Sequence, residues 1–117
     1  MLFRSDKQDY ARVVSTLRDA LQRFATGTYM VWYPQVQRRE SDLLPEKLMA
    51  LQRSDWLHVT LTVKQPSRDG LGLHGSGLFI VNPPWTLPVL LKAALPWLVE
   101  VLGQDGGRGF GLDYRIA

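Results

Sequence analysis

Five consecutive apolar or aromatic residues, Tyr29-Met30-Val31-Trp32-Tyr33, run without a polar interruption until Pro34. Strands with one wet face alternate between apolar and polar residues, whereas strands covered on both faces are apolar throughout. Proline has no backbone donor and is excluded from the interior of a central strand, so Pro34 marks the end of this one. Residues 28–33 are therefore predicted to form a buried, parallel strand with neighbours on both sides.

Helices are predicted before and after this strand. The first begins behind Ser5, which has capping-box spacing to Gln8, and ends at Gly27. The second runs from about residue 41 to residue 53 and carries leucines on one side. Apolar residues recur at helical intervals along the first helix, namely Tyr10, Val13, Val14, Leu17, Leu21 and Phe24. This apolar stripe must be buried against a sheet, and no strand precedes the helix. The chain is therefore predicted to be the second half of a larger unit.

The remaining elements differ in how apolar and polar residues are distributed. Residues 56–63 alternate, which predicts a strand at or near a sheet edge, and residues 78–81 are apolar on both faces, which predicts a central strand. These two strands are predicted to pair as a wide antiparallel hairpin. Residues 86–102 are predicted to form a helix. Thr86 caps its N-terminus, and the helix is expected to bend or break at Pro96. Residues 110–116 complete an α/β fold with the element order α, β, α, β, β, α, β.

The composition excludes several classes of protein. The chain has 117 residues, enough for one domain, and no cysteine, which excludes disulfide scaffolds, thiolate zinc sites and cysteine nucleophiles. Its longest apolar stretch, residues 87–102, includes Lys92 and Glu100, so no membrane span is expected. A net charge of +3 is compatible with a polyanionic partner such as nucleic acid. Residues 1–117 are therefore expected to form a single unit.

Asn82-Pro83-Pro84-Trp85 follows the central strand and has the form (Asp/Asn)-Pro-Pro-aromatic that amino-methyltransferases use. In that chemistry, the side-chain oxygen and a proline carbonyl accept hydrogen bonds from an exocyclic amine, while the aromatic ring stacks on the flipped base. In the alternative, the prolines only end a strand and start the next helix, with Trp85 packed in the core. The tetrapeptide alone leaves both interpretations open.

Other motifs indicate ordinary structural roles. Gly70-Leu71-Gly72-Leu73-His74-Gly75 matches G-x-G-x-x-G, but a strand follows it where a phosphate cradle requires the N-terminus of a helix. Neither His58 nor His74 has a second ligand at metal-binding spacing, so no metal site is predicted. Ser76 lacks the strand-to-helix turn of a nucleophile, which argues against hydrolase chemistry.

Three stretches of the chain carry a family resemblance. They are Arg23-Phe24-Ala25-Thr26-Gly27-Thr28-Tyr29 running on to Trp32-Tyr33-Pro34, Gly75-Ser76-Gly77 running on to Val81, and Asn82-Pro83-Pro84-Trp85 with Leu95-Pro96-Trp97-Leu98 beyond. Together, from about Asp9 to Tyr114, they resemble the C-terminal part of the RlmJ family. Members of that family are bacterial enzymes that methylate an adenine N6 of large-subunit, 23S, ribosomal RNA.

The resemblance implies a class I, Rossmann-like methyltransferase fold that binds S-adenosylmethionine and has the strand order 3-2-1-4-5-7-6. Residues 28–33 would be strand 5, residues 56–63 the edge strand 6, and residues 78–82 the antiparallel strand 7 between them. The glycine-rich cofactor motif and the catalytic Asp-Pro-Pro-aromatic motif of the family lie upstream of the first helix and are not in this chain. The resemblance therefore implies a C-terminal fragment of a cytoplasmic enzyme, with no catalytic, cofactor-binding or metal-binding residue, and inactive alone.

The resemblance also places the substrate side of the site. Cofactor and base would meet at the end of strand 5 and beside the connection from residue 64 to residue 76, where basic residues are expected to contact RNA phosphates. Because strand 7 is antiparallel, the motif at residues 82–85 would face away from this site, which predicts a structural role for it. The predicted substrate-binding residues are Tyr33, Pro34, Gln35, Arg38, Arg39, Lys64 and Arg68.

Two other functions fit parts of the same pattern. A small nucleic-acid-binding or scaffold domain without catalysis is compatible with the net charge of +3 and with the missing catalytic motif. A rearranged enzyme would instead use the tetrapeptide at residues 82–85 as its catalytic motif. The free edge of the strand at residues 28–33 predicts self-association, or pairing with an N-terminal fragment, in addition to a ribosomal RNA partner.

Overall fold

The computed structural model describes residues 7–36, 39–51, 55–68 and 72–116. These ranges contain three helices and four strands in the predicted order, so the α/β class is confirmed. The elements are α1 (Lys7–Arg23), β1 (Tyr29–Val36), α2 (Arg39–Ala50), β2 (Trp56–Thr62), β3 (Leu73–Val81), α3 (Leu87–Leu102) and β4 (Gly109–Arg115).

The four strands form one antiparallel sheet in the order β1-β3-β2-β4. Trp32 pairs with Leu78 across the first strand pair, and Val59 pairs with the same Leu78 from the other side. The predicted antiparallel pairing of β2 with β3 is confirmed, and so is the central position of residues 78–81. Since β1 and β2 each run antiparallel to β3, they run in the same direction as each other.

Two predictions about the strands are wrong for the described residues. β1 was expected to be parallel and covered on both faces, but it pairs only with β3, in antiparallel fashion, at the edge of the sheet. The side chains of Met30 and Trp32 are 64% and 48% exposed, because α3 packs on β2 and β4 and does not extend over β1. The resemblance placed β2 at the edge of the sheet, but β4 pairs along its outer side, so β2 is an interior strand that lies near the edge, as its alternation allowed.

Helices cover both faces of this sheet. On one face, α1 and α2 pack on Phe79 and Val81 of the central strand, which are fully buried. On the other face, Leu95 of α3 packs with Leu57 and Ile80. The amphipathic stripe of α1 therefore finds part of the sheet it requires within this chain.

Some predicted boundaries also shift. β3 begins at Leu73 and therefore includes part of the connection that was expected to reach residue 76. α1 ends at Arg23, before Gly27, and the predicted capping residue Ser5 lies outside the described residues. α3 continues through Pro96 without a break and ends at Gly103 as expected. Its N-terminal threonine makes no side-chain capping hydrogen bond, because the backbone there is already helical. No helix within the described ranges is long and apolar enough to cross a membrane.

Candidate functional site

Polar side chains cluster where β1 and β2 end, on the sheet face that α2 partly covers. Tyr33 and Gln35 come from β1, and His58, Thr60 and Thr62 come from β2. Because the two strands run in the same direction, their carboxyl ends lie at the same end of the sheet. In open parallel α/β sheets, the carboxyl ends of the strands are where ligands bind.

Two glycines of β3 allow these side chains to meet across the central strand. A Cβ atom on Gly77 would overlap the ring of Tyr33, and one on Gly75 would overlap the side-chain oxygen of Gln35. With no side chain in the way, Thr62 Oγ1 donates a hydrogen bond to Gln35 Oε1 at 2.7 Å. The segment Gly75-Ser76-Gly77 is therefore required by packing at the candidate site, not by the flexibility of a loop.

A second hydrogen bond links Tyr33 Oη and His58 Nε2, which lie 2.5 Å apart. Burial raises the pKa of the Tyr33 phenol to about 12, and the charge of Asp42 adds to this effect. Burial lowers the pKa of His58, although the nearby Asp113 carboxylate opposes the shift. Both residues are therefore neutral near pH 7, and the tautomer of His58 decides whether the phenol donates the shared hydrogen bond or accepts it.

α2 closes the cluster into a pocket of about 280 Å³. Ser41 and Asp42 line its helical side, and Ser41 Oγ donates a hydrogen bond to the carbonyl oxygen of Pro34 at 3.1 Å. The Nδ1 atom of His74, on the strand side, is buried and makes no hydrogen bond within the described part of the chain. Neutral hydrogen-bonding groups and one carboxylate suit a polar, uncharged group such as a ribose or a base edge, and do not suit a phosphate.

The predicted substrate-binding residues are only partly brought together. Tyr33 and Gln35 both line the pocket. Tyr33, however, is only 3% exposed and its hydroxyl is hydrogen-bonded to His58, so Tyr33 orients its neighbours and does not present a free surface to a ligand. Pro34 is also buried. Lys64 is half-buried and Arg68 is exposed, and both follow the end of β2.

Arg38 lies outside the described residues, and Arg39 is the first residue of α2. Sequence reasoning assigned no functional role to His58 or Thr62. The alternation of β2 places both on its polar face, but nothing local indicates that they meet residues of β1 across a glycine strand.

Asn82-Pro83-Pro84-Trp85 lies at the opposite end of the sheet. Asn82 has a positive φ of 55°, which asparagine tolerates better than most residues. Its Nδ2 donates hydrogen bonds to the carbonyl oxygens of Ala25 at 3.1 Å and Gly27 at 2.8 Å. Trp85 is 80% exposed, so the interpretation that placed it in the core is wrong.

A second cavity, of about 400 Å³, lies between α1 and the outer edge of β1. It is lined by Val13, Thr16, Leu17 and Ala20 of the helix and by residues 29–32 of the strand. The cavity runs along the edge at which β1 has no neighbouring strand within the described ranges. We call it the β1 groove.

The fold and the pocket define an α/β domain with a polar site at the carboxyl ends of two like-directed strands. The model of the family described as Ribosomal RNA large subunit methyltransferase D, RlmJ, matches residues 4–114, which is nearly the whole chain. The chain belongs to this family of ribosomal RNA methyltransferases.

Individual relatives agree with this assignment. The chain is 39% identical over 108 residues to the Ribosomal RNA large subunit methyltransferase J of Haemophilus influenzae, covering 92% of this chain and 38% of the relative. It is 39% identical over 100 residues to the protein of the same name from Escherichia coli K12, covering 86% of this chain and 35% of the relative. A crystal structure of a Legionella pneumophila protein superposes with a TM-score of 0.78 at 25% identity, over 93% of this chain and 39% of the other. The chain thus spans less than half the length of the proteins it matches.

Proposed function

We propose that this chain is the C-terminal part of an S-adenosylmethionine-dependent enzyme that methylates an adenine N6 of 23S ribosomal RNA in the cytoplasm, and that it is inactive alone. The family match over residues 4–114 carries the proposal. The sheet order supports it, because β1, β3 and β2 stand in the relation that strands 5, 7 and 6 have in a class I methyltransferase. The remaining strands of that fold would belong to an upstream part.

The β1 groove supports pairing with that upstream part. A strand added beside β1 would use the open edge, and its side chains would enter the cavity beneath Thr16 and Ala20 of α1. On the opposite face of the sheet, the exposed side chains of Met30 and Trp32 would be covered by the same upstream part.

The described residues do not fit S-adenosylmethionine by themselves. A dinucleotide-type or methyl-donor cradle uses free amides at the start of a helix, whereas the glycine-rich segment of this chain continues into β3. No catalytic step is therefore assigned to residues of this chain.

The polar pocket would serve the substrate side of the reaction. We assign Gln35 and the polar groups around it to a ribose or base of the RNA, with Tyr33 holding His58 in place. Arg38, Arg39, Lys64 and Arg68 remain the proposed phosphate contacts. Such contacts would make binding of RNA weaken with increasing salt.

Complementation tests the proposal. The chain is mixed with the purified N-terminal part of the Haemophilus influenzae relative, and transfer of a labelled methyl group to 23S ribosomal RNA is measured. Methylation is expected only when both parts are present. Thr16→Trp, which fills the β1 groove, should abolish complementation, whereas Ser15→Trp on the exposed side of α1 should not.

Salt-dependent binding of RNA without methylation, in the presence of a folded upstream part, would favour the alternative function of a nucleic-acid-binding or scaffold domain. The net charge of +3 is the observation that supports this alternative function.

A further inference from the structure

The side of α3 that faces away from the sheet is almost entirely apolar. Leu90 and Trp97 are 62% and 64% exposed, and Val89 and Val101 are similarly exposed. A helix that is apolar on all sides is normally buried in a larger structure. Water-facing residues of this kind form an exposed apolar surface, which in soluble proteins marks a site of interaction.

The two charged residues of α3 are engaged within the chain. Lys92 Nζ donates a hydrogen bond to Tyr114 Oη at 2.9 Å and lies 5.3 Å from the centre of that ring. The Glu100 carboxylate lies 3.5 Å from the guanidinium of Arg108. The outer face of α3 therefore presents no unpaired charge that would select an oppositely charged partner.

Four exposed residues of this face have the spacing of a helix-packing seam. Leu90, Ala94, Trp97 and Val101 are separated by four, three and four residues, which is the interval of the core positions of a coiled coil. We call these four residues the α3 stripe. Such spacing favours another helix as the partner, because each side chain can enter a hole between residues of the facing helix.

The order of sizes along the α3 stripe is complementary to itself in the reverse direction. In an antiparallel pair, Trp97 of one copy faces Ala94 of the other, and Leu90 faces Val101. A parallel pair would place tryptophan against tryptophan and alanine against alanine, which leaves a clash beside a void. A two-fold axis requires that residue i meets residue j and that j meets i, and the antiparallel arrangement satisfies this condition.

We propose that two copies of this chain associate through antiparallel packing of their α3 stripes, with Trp97 of each copy on Ala94 of the other. α3 lies on β2 and β4, while the β1 groove is at the opposite edge of the sheet, so the two surfaces are separate. The stripe is about 16 Å long. Such a contact buries less than the roughly 800 Å² per partner of a standard interface, so the dimer is expected to be weak and to dissociate on dilution.

Analytical ultracentrifugation of the full chain over a series of increasing protein concentrations tests the proposal. Ala94→Trp and Trp97→Ala should each weaken dimerisation about tenfold or more, because each removes the pairing of a large with a small residue. The double variant A94W/W97A should restore dimerisation to within about threefold, because it exchanges the two sizes. Val89→Asp, on the far flank of the same helix, is the control and should leave dimerisation unchanged. Circular dichroism melting checks that each variant is folded.

Several results would overturn the proposal. These are a monomer at every concentration, a double variant as weak as the single ones, or equal loss of association in Val89→Asp. Dimerisation abolished by Thr16→Trp would assign association to the β1 groove instead. Binding to phosphatidylcholine vesicles that Trp97→Ala abolishes, without any dimer, would assign the stripe to a lipid surface.

Discussion

The hydroxyl of Tyr33 lies 2.5 Å from Nε2 of His58, although the two residues belong to strands that are separated by the central strand of the sheet. Their rings are nearly parallel, with centroids 6.0 Å apart and an interplanar angle of 19°. Gly77 makes this approach possible, because any side chain there would occupy the space of the phenol ring. The same bond fixes the wall of the polar pocket and joins β1 to β2.

Replacing Tyr33 by Phe tests the contribution of this bond. The change leaves His58 Nε2 half-buried without its hydrogen-bond partner, which should lower the free energy of unfolding by about 1–3 kcal/mol. Urea denaturation followed by circular dichroism measures the change. Tyr114→Phe removes a hydroxyl that is paired with Lys92 on the surface and should cost less than about 0.5 kcal/mol. Equal losses in the two variants would contradict a special role for the buried bond.

The pKa shifts of this pair predict a stability that falls at both ends of the pH scale. The pKa of His58 is lower in the folded chain than in the unfolded chain, so stability is complete above about pH 6.5 and declines as the pH falls below it. The pKa of Tyr33 is raised from 10.0 to about 12, so stability declines as the pH rises between these values, by at most about 3 kcal/mol.

Urea midpoints measured from pH 5 to pH 12 check this profile. The Tyr33→Phe variant should not show the loss of stability that ionisation of Tyr33 causes at alkaline pH. The losses of stability that other titrating groups cause should remain. An unchanged alkaline profile in this variant would show that the phenol titrates as it does in water.

Gly77→Ala should be one of the most damaging single-methyl additions in the chain. The new Cβ would overlap the Tyr33 ring, which is held between Gly77 and His58, so the expected loss is about 1–3 kcal/mol or more. Gly106→Ala is the matched control, because a Cβ there has no atom within 4 Å. Thermal unfolding distinguishes the two. A Gly77→Ala protein as stable as the control would mean that the strands separate easily at this point.

The element order could be predicted because periodicity is a local property of the sequence. The apolar run from Leu78 to Val81 correctly indicated a central strand, because a strand that is covered on both faces of the sheet has apolar residues at every position. The first part of β3 was missed because Gly75 and Gly77 have no side chains and therefore show no alternation. The interior position of β2 was missed for a different reason, because pairing with β4 depends on residues about 50 positions away along the chain.

The candidate site was predictable in outline but not in its contacts. The end of β1 was selected because a family resemblance placed substrate there, and Tyr33 and Gln35 do lie in the polar pocket. Their partners His58 and Thr62 could not be predicted, since a hydrogen bond across a central strand depends on register and on the absence of a side chain between them. The exposure of Trp85 could not be predicted either, because an aromatic residue after two prolines is compatible with a core or a surface position.

Substitutions of Asn82 separate the structural role of its motif from a catalytic one. Asn82→Ala removes two hydrogen bonds to the turn between α1 and β1 and places alanine at a φ of 55°, which should cost about 2–4 kcal/mol. Asn82→Gly removes the same hydrogen bonds but accepts the positive φ, so it should be the milder variant. In the complementation assay, folded Asn82→Gly chain is expected to support methylation at close to the normal rate. A loss of methylation without a loss of folding would instead support the alternative in which Asn82-Pro83-Pro84-Trp85 contacts the target base.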